Sequence, residues 1–403
     1  MQRPETTSVG IVPIGALGVA FYHYLTAGAR ESSNKVVFLS RRAASENNRW
    51  VADASVRMET AAGRQDLPLA GRLAGSLPDA AAGGRLPEVI LVCTNPDQLF
   101  DVVADYVAVV EYEHRKGRLE SGTAHLPLLV LCANGIYFQR IRSSFVELLE
   151  ESTLLGRLPD LWPHLMPTVV GRLMRGVTIQ TASRNGAGST AVYRPGPPGR
   201  TQLTGGDRLA RAEAARQLTA CGGWFEDVGD VQPTRVEFNK ALVNLAMNVI
   251  GQLAAIDADG RFRMLTVGEI TQSVARERIL ELVEAVMRVG QGVGVFAANE
   301  SSIDIFAHLE ELLRSTAAHV PSSLQLLGLQ LRAGTVGPGL APTEKWLLQP
   351  LLQYARSLGD AGAIRYFEGL EKELTDAIAR AARTPQDRRL GLSETVPGPK
   401  AGP

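Results

Sequence analysis

Only three cysteines occur in 403 residues, and Cys93, Cys132 and Cys221 are far apart. Two of them close apolar strand-like runs, so buried thiols are expected rather than disulfides or thiolate metal ligands. His23, His114, His125, His164, His308 and His319 show no ligand spacing, which removes the common imidazole metal sites as well. Forty-two basic and forty-two acidic side chains cancel, and with them any global attraction for nucleic acid or an anionic membrane. No apolar run approaches the ~20 residues required to cross a bilayer, and glycine and proline interrupt the apolar stretch at the N-terminus where a signal peptide needs continuity. A cytoplasmic location is expected. What remains is a chain of 45% hydrophobic residues, long enough for two domains or more.

Residues 8–30 read as a short apolar strand, a tight turn and a helical run. The turn Pro13-Ile14-Gly15-Ala16-Leu17-Gly18 has the spacing of a dinucleotide fingerprint with proline in place of its first glycine. Gly15 fills the position where backbone approaches pyrophosphate, and Gly18 the one where helix packs on strand. Proline there has a fixed φ and no N–H, so the turn must be built differently. About 20 residues on, a second apolar strand (35–39) ends in Ser40, Arg41 and Arg42. An acidic residue at that place would hold the ribose hydroxyls of NAD, whereas arginine suits a 2′-phosphate, so NADP is the expected cofactor.

The alternation continues with an apolar strand at 89–93, a helix at 96–112, a strand at 128–132 and a helix after Gly135. Such spacing predicts a parallel sheet covered on both faces. Ligands in these sheets sit beyond the carboxyl ends of the strands. Thr94 and Asn95 follow one strand there, and Asn134-Gly135 another, although Asn-Gly is also an ordinary turn signal. Residues 166–171, 176–181, 189–194 and 200–204 are strand-like and predict an antiparallel or mixed extension of the sheet, with helix throughout after Asp207. Residues 61–87, rich in Ala, Gly and Pro, and the charged 111–125 read as surface excursions. The fold expected is α/β, an N-terminal Rossmann-like doubly wound sheet (1–230) followed by an all-helical domain (231–383). The catalytic cleft is expected between them, and 384–403 is expected to be a disordered tail.

Residues 236–253 read VEFNKALVNLAMNVIGQL, apolar on most sides of a helix but carrying Lys240, Asn244 and Asn248 at steps of four. Four residues are one turn plus roughly 40°, so these side chains form one slightly slanting stripe. An unpaired interior amide costs about 1–3 kcal/mol and an unpaired ammonium more, so something polar must meet the stripe. It is either neighbouring backbone, with the lysine reaching water, or a ligand.

In this order the segments resemble the ketopantoate reductase family, the NADPH-dependent 2-dehydropantoate 2-reductases of pantothenate biosynthesis, across roughly residues 8–358. Cys132-Ala133-Asn134-Gly135-Ile136 is similar to the family's Asn-Gly element, and Arg175-Gly176-Val177-Thr178 to its Gly-Val-Thr strand. The run from Phe238 to Asn244, followed by Asn248, resembles the helix with the catalytic lysine and two substrate-gripping asparagines. His319-Val320-Pro321-Ser322-Ser323-Leu324-Gln325 resembles its Pro-Ser-Met-Leu-Gln segment, and Thr343-Glu344 its Thr-Glu pair.

The resemblance implies reduction of a 2-oxo acid with Lys240 as general acid and Glu344 orienting it or binding a hydroxyl. Asn244, Asn248, Ser322 and Asn134 would bind substrate. Residues Pro13, Ile14, Gly15, Ala16, Leu17, Gly18, Ser40, Arg41, Arg42, Thr94, Asn95 and Asn134 would hold NADP. The family commonly has lysine near Asn95 and aspartate at Leu326; these departures bear on which 2-oxo acid is taken. A second two-domain dehydrogenase type, acting on an opine or a sugar-derived acid, fits the same plan. So does a nucleotide-binding homologue without chemistry. The partners expected are a small 2-oxo acid and, because long apolar helical domains pair readily, a second copy of the chain.

Overall fold

The computed structural model describes residues 8–27, 35–40, 55–186 and 191–385. Arg41 and Arg42 lie outside them, as does all of the expected tail except Thr384 and Pro385. Two compact units divide at Lys240/Ala241, within a helix.

In the first unit, β1 (Ser8–Val12), α1 (Ala16–Ala27), β2 (Lys35–Phe38), β3 (Ser55–Thr60), β4 (Gly63–Pro68), α2 (Leu77–Ala82) and β5 (Val89–Val92) come first. A short 3₁₀ turn (Pro96–Gln98) then leads into α3 (Leu99–Arg115), β6 (Leu128–Leu131), α4 (Phe138–Leu154), α5 (Met166–Val170) and β7 (Leu173–Thr178). After these come β8 (Ala182–Asn185), β9 (Val192–Pro195), β10 (Thr201–Thr204), α6 (Arg208–Ala220), β11 (Phe225–Asp227) and α7 (Pro233–Asn244).

The seven-stranded sheet has the order β11-β10-β7-β6-β5-β1-β2. Strands β2, β1, β5, β6 and β7 are parallel. Val9, Ile11, Ile90, Leu91, Leu129 and Val130 are wholly buried, as strands covered on both faces require. Strand order reverses at β1, which has β2 on one side and β5 on the other. In open α/β sheets the crevice at such a reversal receives the ligand. This is the doubly wound plan read from the sequence.

Four segments differ from the sequence reading. Residues 166–170 form the short helix α5, not a strand: β-branched Thr168, Val169 and Val170 imitate one, but Pro167 in the first turn suits a helix start. β11 interrupts the helical stretch after Asp207 and pairs parallel to β10, which itself runs antiparallel to β7. Residues 61–87 are not a mere excursion. They supply β4 and α2, whose capping box joins Ser76 and Asp79, and β3, β4, β8 and β9 make a second sheet in the order β4-β3-β9-β8. The charged 111–115 is the last turn of α3, with Glu113 buried against Arg118.

The second unit contains helices in each described stretch. α7 passes into a π-helical segment (Leu245–Ile250), then α8 (Gly251–Ala255) and α9 (Val267–Ser273). α10 (Arg276–Gly292), α11 (Ser302–Ser315), α12 (Ser322–Ala333), α13 (Pro342–Leu358) and α14 (Ala361–Arg383) complete it. α13 packs on α10, α14 and the π segment. α14 buries Phe367, Leu370, Leu374, Ala377, Ile378 and Ala381, the three-and-four spacing of one apolar face. At its end the Thr384 hydroxyl donates to the carbonyl of Asp259 (3.0 Å). Among the described residues no helix is long and apolar enough to cross a membrane.

Candidate active site

At the carboxyl end of β1 the turn Pro13–Gly15 delivers the chain into α1, and the Val19 amide closes the first helical turn on Gly15 O (2.9 Å). A Cβ on Gly18 would sit 2.6 Å from the Pro13 carbonyl oxygen and 3.0 Å from Ile11, so only glycine lets the helix lie this close to the strand. A Cβ on Gly15 would meet nothing within 4 Å. The two glycines therefore divide their duties as the fingerprint requires, one for packing and one beside open space, even with proline at the first position. Ile14, Ala16 and Leu17 are half-buried in the same turn. Ser40 follows β2, its amide donating to Gly75 O (2.7 Å).

Beyond β5, Thr94 is buried and its hydroxyl oxygen has no hydrogen-bond partner. Asn95 is exposed and opens the 3₁₀ turn. Beyond β6, Asn134 is exposed, followed by Gly135 at φ 127°, a conformation that favours glycine. Cys93 and Cys132 lie on these adjacent strand ends and Cys221 ends α6; all three are free thiols.

The Asn134-Gly135 turn is held from below by Arg175 on β7. Its guanidinium, 2% exposed, donates to the carbonyls of Leu131 and Gly176 (both 2.7 Å), Ala133 (2.9 Å) and Gly135 (3.3 Å). It lies 4.4 Å from the centre of the Tyr137 ring, and its Nε donates to Oε1 of Glu237 on α7 (2.7 Å). Glu237 also accepts from the amides of Tyr137 (3.3 Å) and Phe138 (3.2 Å), which begin α4. Burial pushes the Glu237 carboxyl up while Arg175 and the two amides draw it back. Three residues further along α7 comes Lys240. Burial, with the Arg175 charge added, brings its ammonium down to about 8.

Asn244, one turn beyond Lys240, is 8% exposed, and its Nδ2 has no hydrogen-bond partner. Asn248 is equally buried and falls in the π segment. A π turn winds roughly 4.4 residues, so a four-residue step within it falls short of a full turn by about as much as an α step overshoots.

The next step of four is Gln252, 3% exposed, whose amide donates to Oε1 of Glu344 (2.9 Å). Glu344 stands in the first turn of α13. Burial raises its carboxyl to about 7, against the pull of its own helix-terminal amide and Gln252. On α12, Ser322 is exposed, whereas the hydroxyl of its neighbour Ser323 is buried without a partner.

Three of the buried polar residues described above escaped the sequence reading: Arg175, Glu237 and Gln252. Gln252 continues the step of four and Glu237 precedes Lys240 by three, so periodicity along the helix could have found both. Nothing local marks Arg175. Among the described residues no cluster of His, Cys, Asp and Glu could hold a metal ion.

The first unit is a Rossmann-like doubly wound fold and the second a helical one, and solved structures share this fold. No family model matches the sequence, and no curated protein does. A D-mandelate dehydrogenase solved with NADH aligns at a TM-score of 0.61 and 16% identity, over 93% of this chain and 99% of that one. The 2-dehydropantoate 2-reductase of Geobacter metallireducens aligns at 0.55 and 16%, over 92% and 99%. That of Methylococcus capsulatus aligns at 0.54 and 18%, over 94% and 98%. The chain thus has the fold of the ketopantoate reductases, at the distance of a divergent sequence.

Proposed function

We propose that this protein is an NADPH-dependent oxidoreductase that interconverts a 2-oxo acid and its 2-hydroxy acid, with Lys240 as the general acid. The observation that carries the reading is the lysine itself, its ammonium brought down to about 8 one turn before a buried amide that has no protein partner. A structural helix would gain stability by exchanging such groups for apolar ones.

The residues present fit a dinucleotide: open space at Gly15, close packing at Gly18 and the unpartnered hydroxyl of Thr94. When bound, the cofactor supplies the hydride. Negative charge then grows on the keto oxygen, and Lys240 stabilises it and gives up a proton from Nζ. Asn244 and Asn248 offer amides to a substrate hydroxyl or carboxylate. On α12 and α13, Ser322 is assigned to the carboxylate, with the adjacent Ser323 hydroxyl available for the same duty, and Glu344 to a substrate hydroxyl. Arg41 and Arg42, as residue types following β2, favour the 2′-phosphate of NADPH. The chain is proposed to pair as a homodimer, as does the ketopantoate reductase of Staphylococcus aureus, which is described as dimeric; light scattering on the purified protein tests this.

Purified protein is expected to consume NADPH with at least one member of a 2-oxo acid panel that includes ketopantoate and an aromatic 2-oxo acid. Lys240→Ala is expected to lower kcat by about 10²–10⁴-fold. Because the ammonium is the reactive form, reduction should be level below pH about 8 and fall above it. Undiminished reduction by Lys240→Ala would remove the lysine from the chemistry. Binding of NADH as tight as that of NADPH would remove the arginine argument.

A further inference from the structure

We propose that Arg175 is a positioning residue for Lys240: through Glu237 it fastens the turn of α7 carrying the lysine to the Ala133–Gly135 backbone, and it adds a fixed positive charge within electrostatic reach of the ammonium. The proposal rests on the reading of Lys240 as the acid and adds the device that places it.

The geometry is unusual for a strand arginine. Its fork is fully used within the protein, with five acceptors in bonding range and an aromatic ring beneath it. No donor is left over for a substrate carboxylate, so Arg175 does not act as a substrate clamp. Four of the five acceptors are carbonyls, three of them in the stretch that leads from β6 into the Asn134-Gly135 turn. The fifth is Glu237, which also takes the first amides of α4. One buried ion pair thereby ties the end of β6, the start of α4 and the turn of α7 that holds Lys240. Reaction geometry is sensitive at this scale, since a displacement of about 1 Å can cost 10²-fold in rate.

The charge that acts on the lysine is Arg175, and around Arg175 itself stand Glu237, Tyr137 and Cys132. Desolvation and the Arg175 charge both disfavour the ammonium, so removing the guanidinium raises the lysine towards its ordinary value.

The test separates place from charge. Arg175→Lys keeps the cation but loses the fork. It is expected to lower kcat at least tenfold while the alkaline limb of the pH profile stays near that of the parent. The paired variant Arg175→Met with Glu237→Gln removes both charges without leaving one unpaired. Its alkaline limb is expected to move upward by a pH unit or so. NMR titration of reductively methylated lysines, assigned with Lys240→Arg, reads the same shift without substrate or cofactor, so it stands even if no 2-oxo acid is reduced. If Arg175→Lys does not fold, Glu237→Gln, which keeps the cation and the carbonyl contacts, takes its place with the same expectation. Parent-like kcat in the variant used would overturn the positioning role. An unmoved Lys240 titration in the paired variant would overturn the electrostatic one.

Discussion

Two buried glutamates on helices make the sharpest internal contrast in the molecule. Glu237 in the first unit meets a guanidinium at 2.7 Å and two backbone amides. Glu344 in the second meets a neutral carboxamide at 2.9 Å. Both are 2% exposed. Desolvation therefore raises both, and the partners decide what opposes it. At Glu237 burial still pushes the carboxyl up, but a guanidinium and two backbone amides oppose the rise, and the group serves as a fastener between elements. With only neutral amides against it, the rise at Glu344 leaves the carboxyl at about 7, where it changes between acceptor and donor within the physiological range. Burial of a carboxyl says little about its use until its partner is known.

The strongest way to break the contrast is to truncate one member of the charged pair. Arg175→Ala or Glu237→Ala leaves a buried charge without its partner and is expected to cost about 3–5 kcal/mol. Urea unfolding at pH 7 measures it. A cost below about 1 kcal/mol would mean that water reaches the pair.

Much of this architecture was legible in the sequence, for a physical reason. Strands buried on both faces are continuous apolar runs, so β1, β2, β5 and β6 stood out, and their spacing implied the helices between them. The Lys240 stripe was legible because polar residues at one helical spacing in an apolar run cannot be accidental to packing. α5 and β11 were not, because single-turn helices and three-residue strands carry too few residues for a period to show. Arg175 was illegible for another reason. An arginine amid LMRGVT carries no local mark of its role, and its charged partner is a glutamate 62 positions later. Local pattern carries no information about such a pair. The reading of Arg41 and Arg42 as phosphate ligands lies outside the described residues.

A smaller effect sharpens the contrast from the other side. Glu344 has its carboxyl raised in the folded chain from 4.5 to about 7, so the folded state binds more protons than the unfolded one between those values. Stability contributed by the protonated form is complete below about pH 4.5 and is lost as pH rises to about 7. The loss is on the order of 3 kcal/mol. Glu344→Gln should remove that slope and leave the protein at least as stable as the parent at pH 8, in thermal or urea unfolding across pH. A slope that survives the substitution would assign the titration to another group.

The smallest stability effect belongs to Asn244, and its sign is the informative part. Its Nδ2 is buried without a partner, so the folded protein carries a desolvation cost that no internal bond offsets. Asn244→Leu keeps the branched shape and heavy-atom count and removes the orphan donor, and is expected to change stability by no more than about 1 kcal/mol, in the stabilising direction. If the amide is kept for a ligand, the same variant should raise the KM for the 2-oxo acid while leaving the dissociation constant for NADPH unchanged. Destabilisation by more than about 2 kcal/mol would mean that the amide answers to protein backbone after all. The polar stripe would then be structural, and Lys240 would be left without the neighbour that makes it a site.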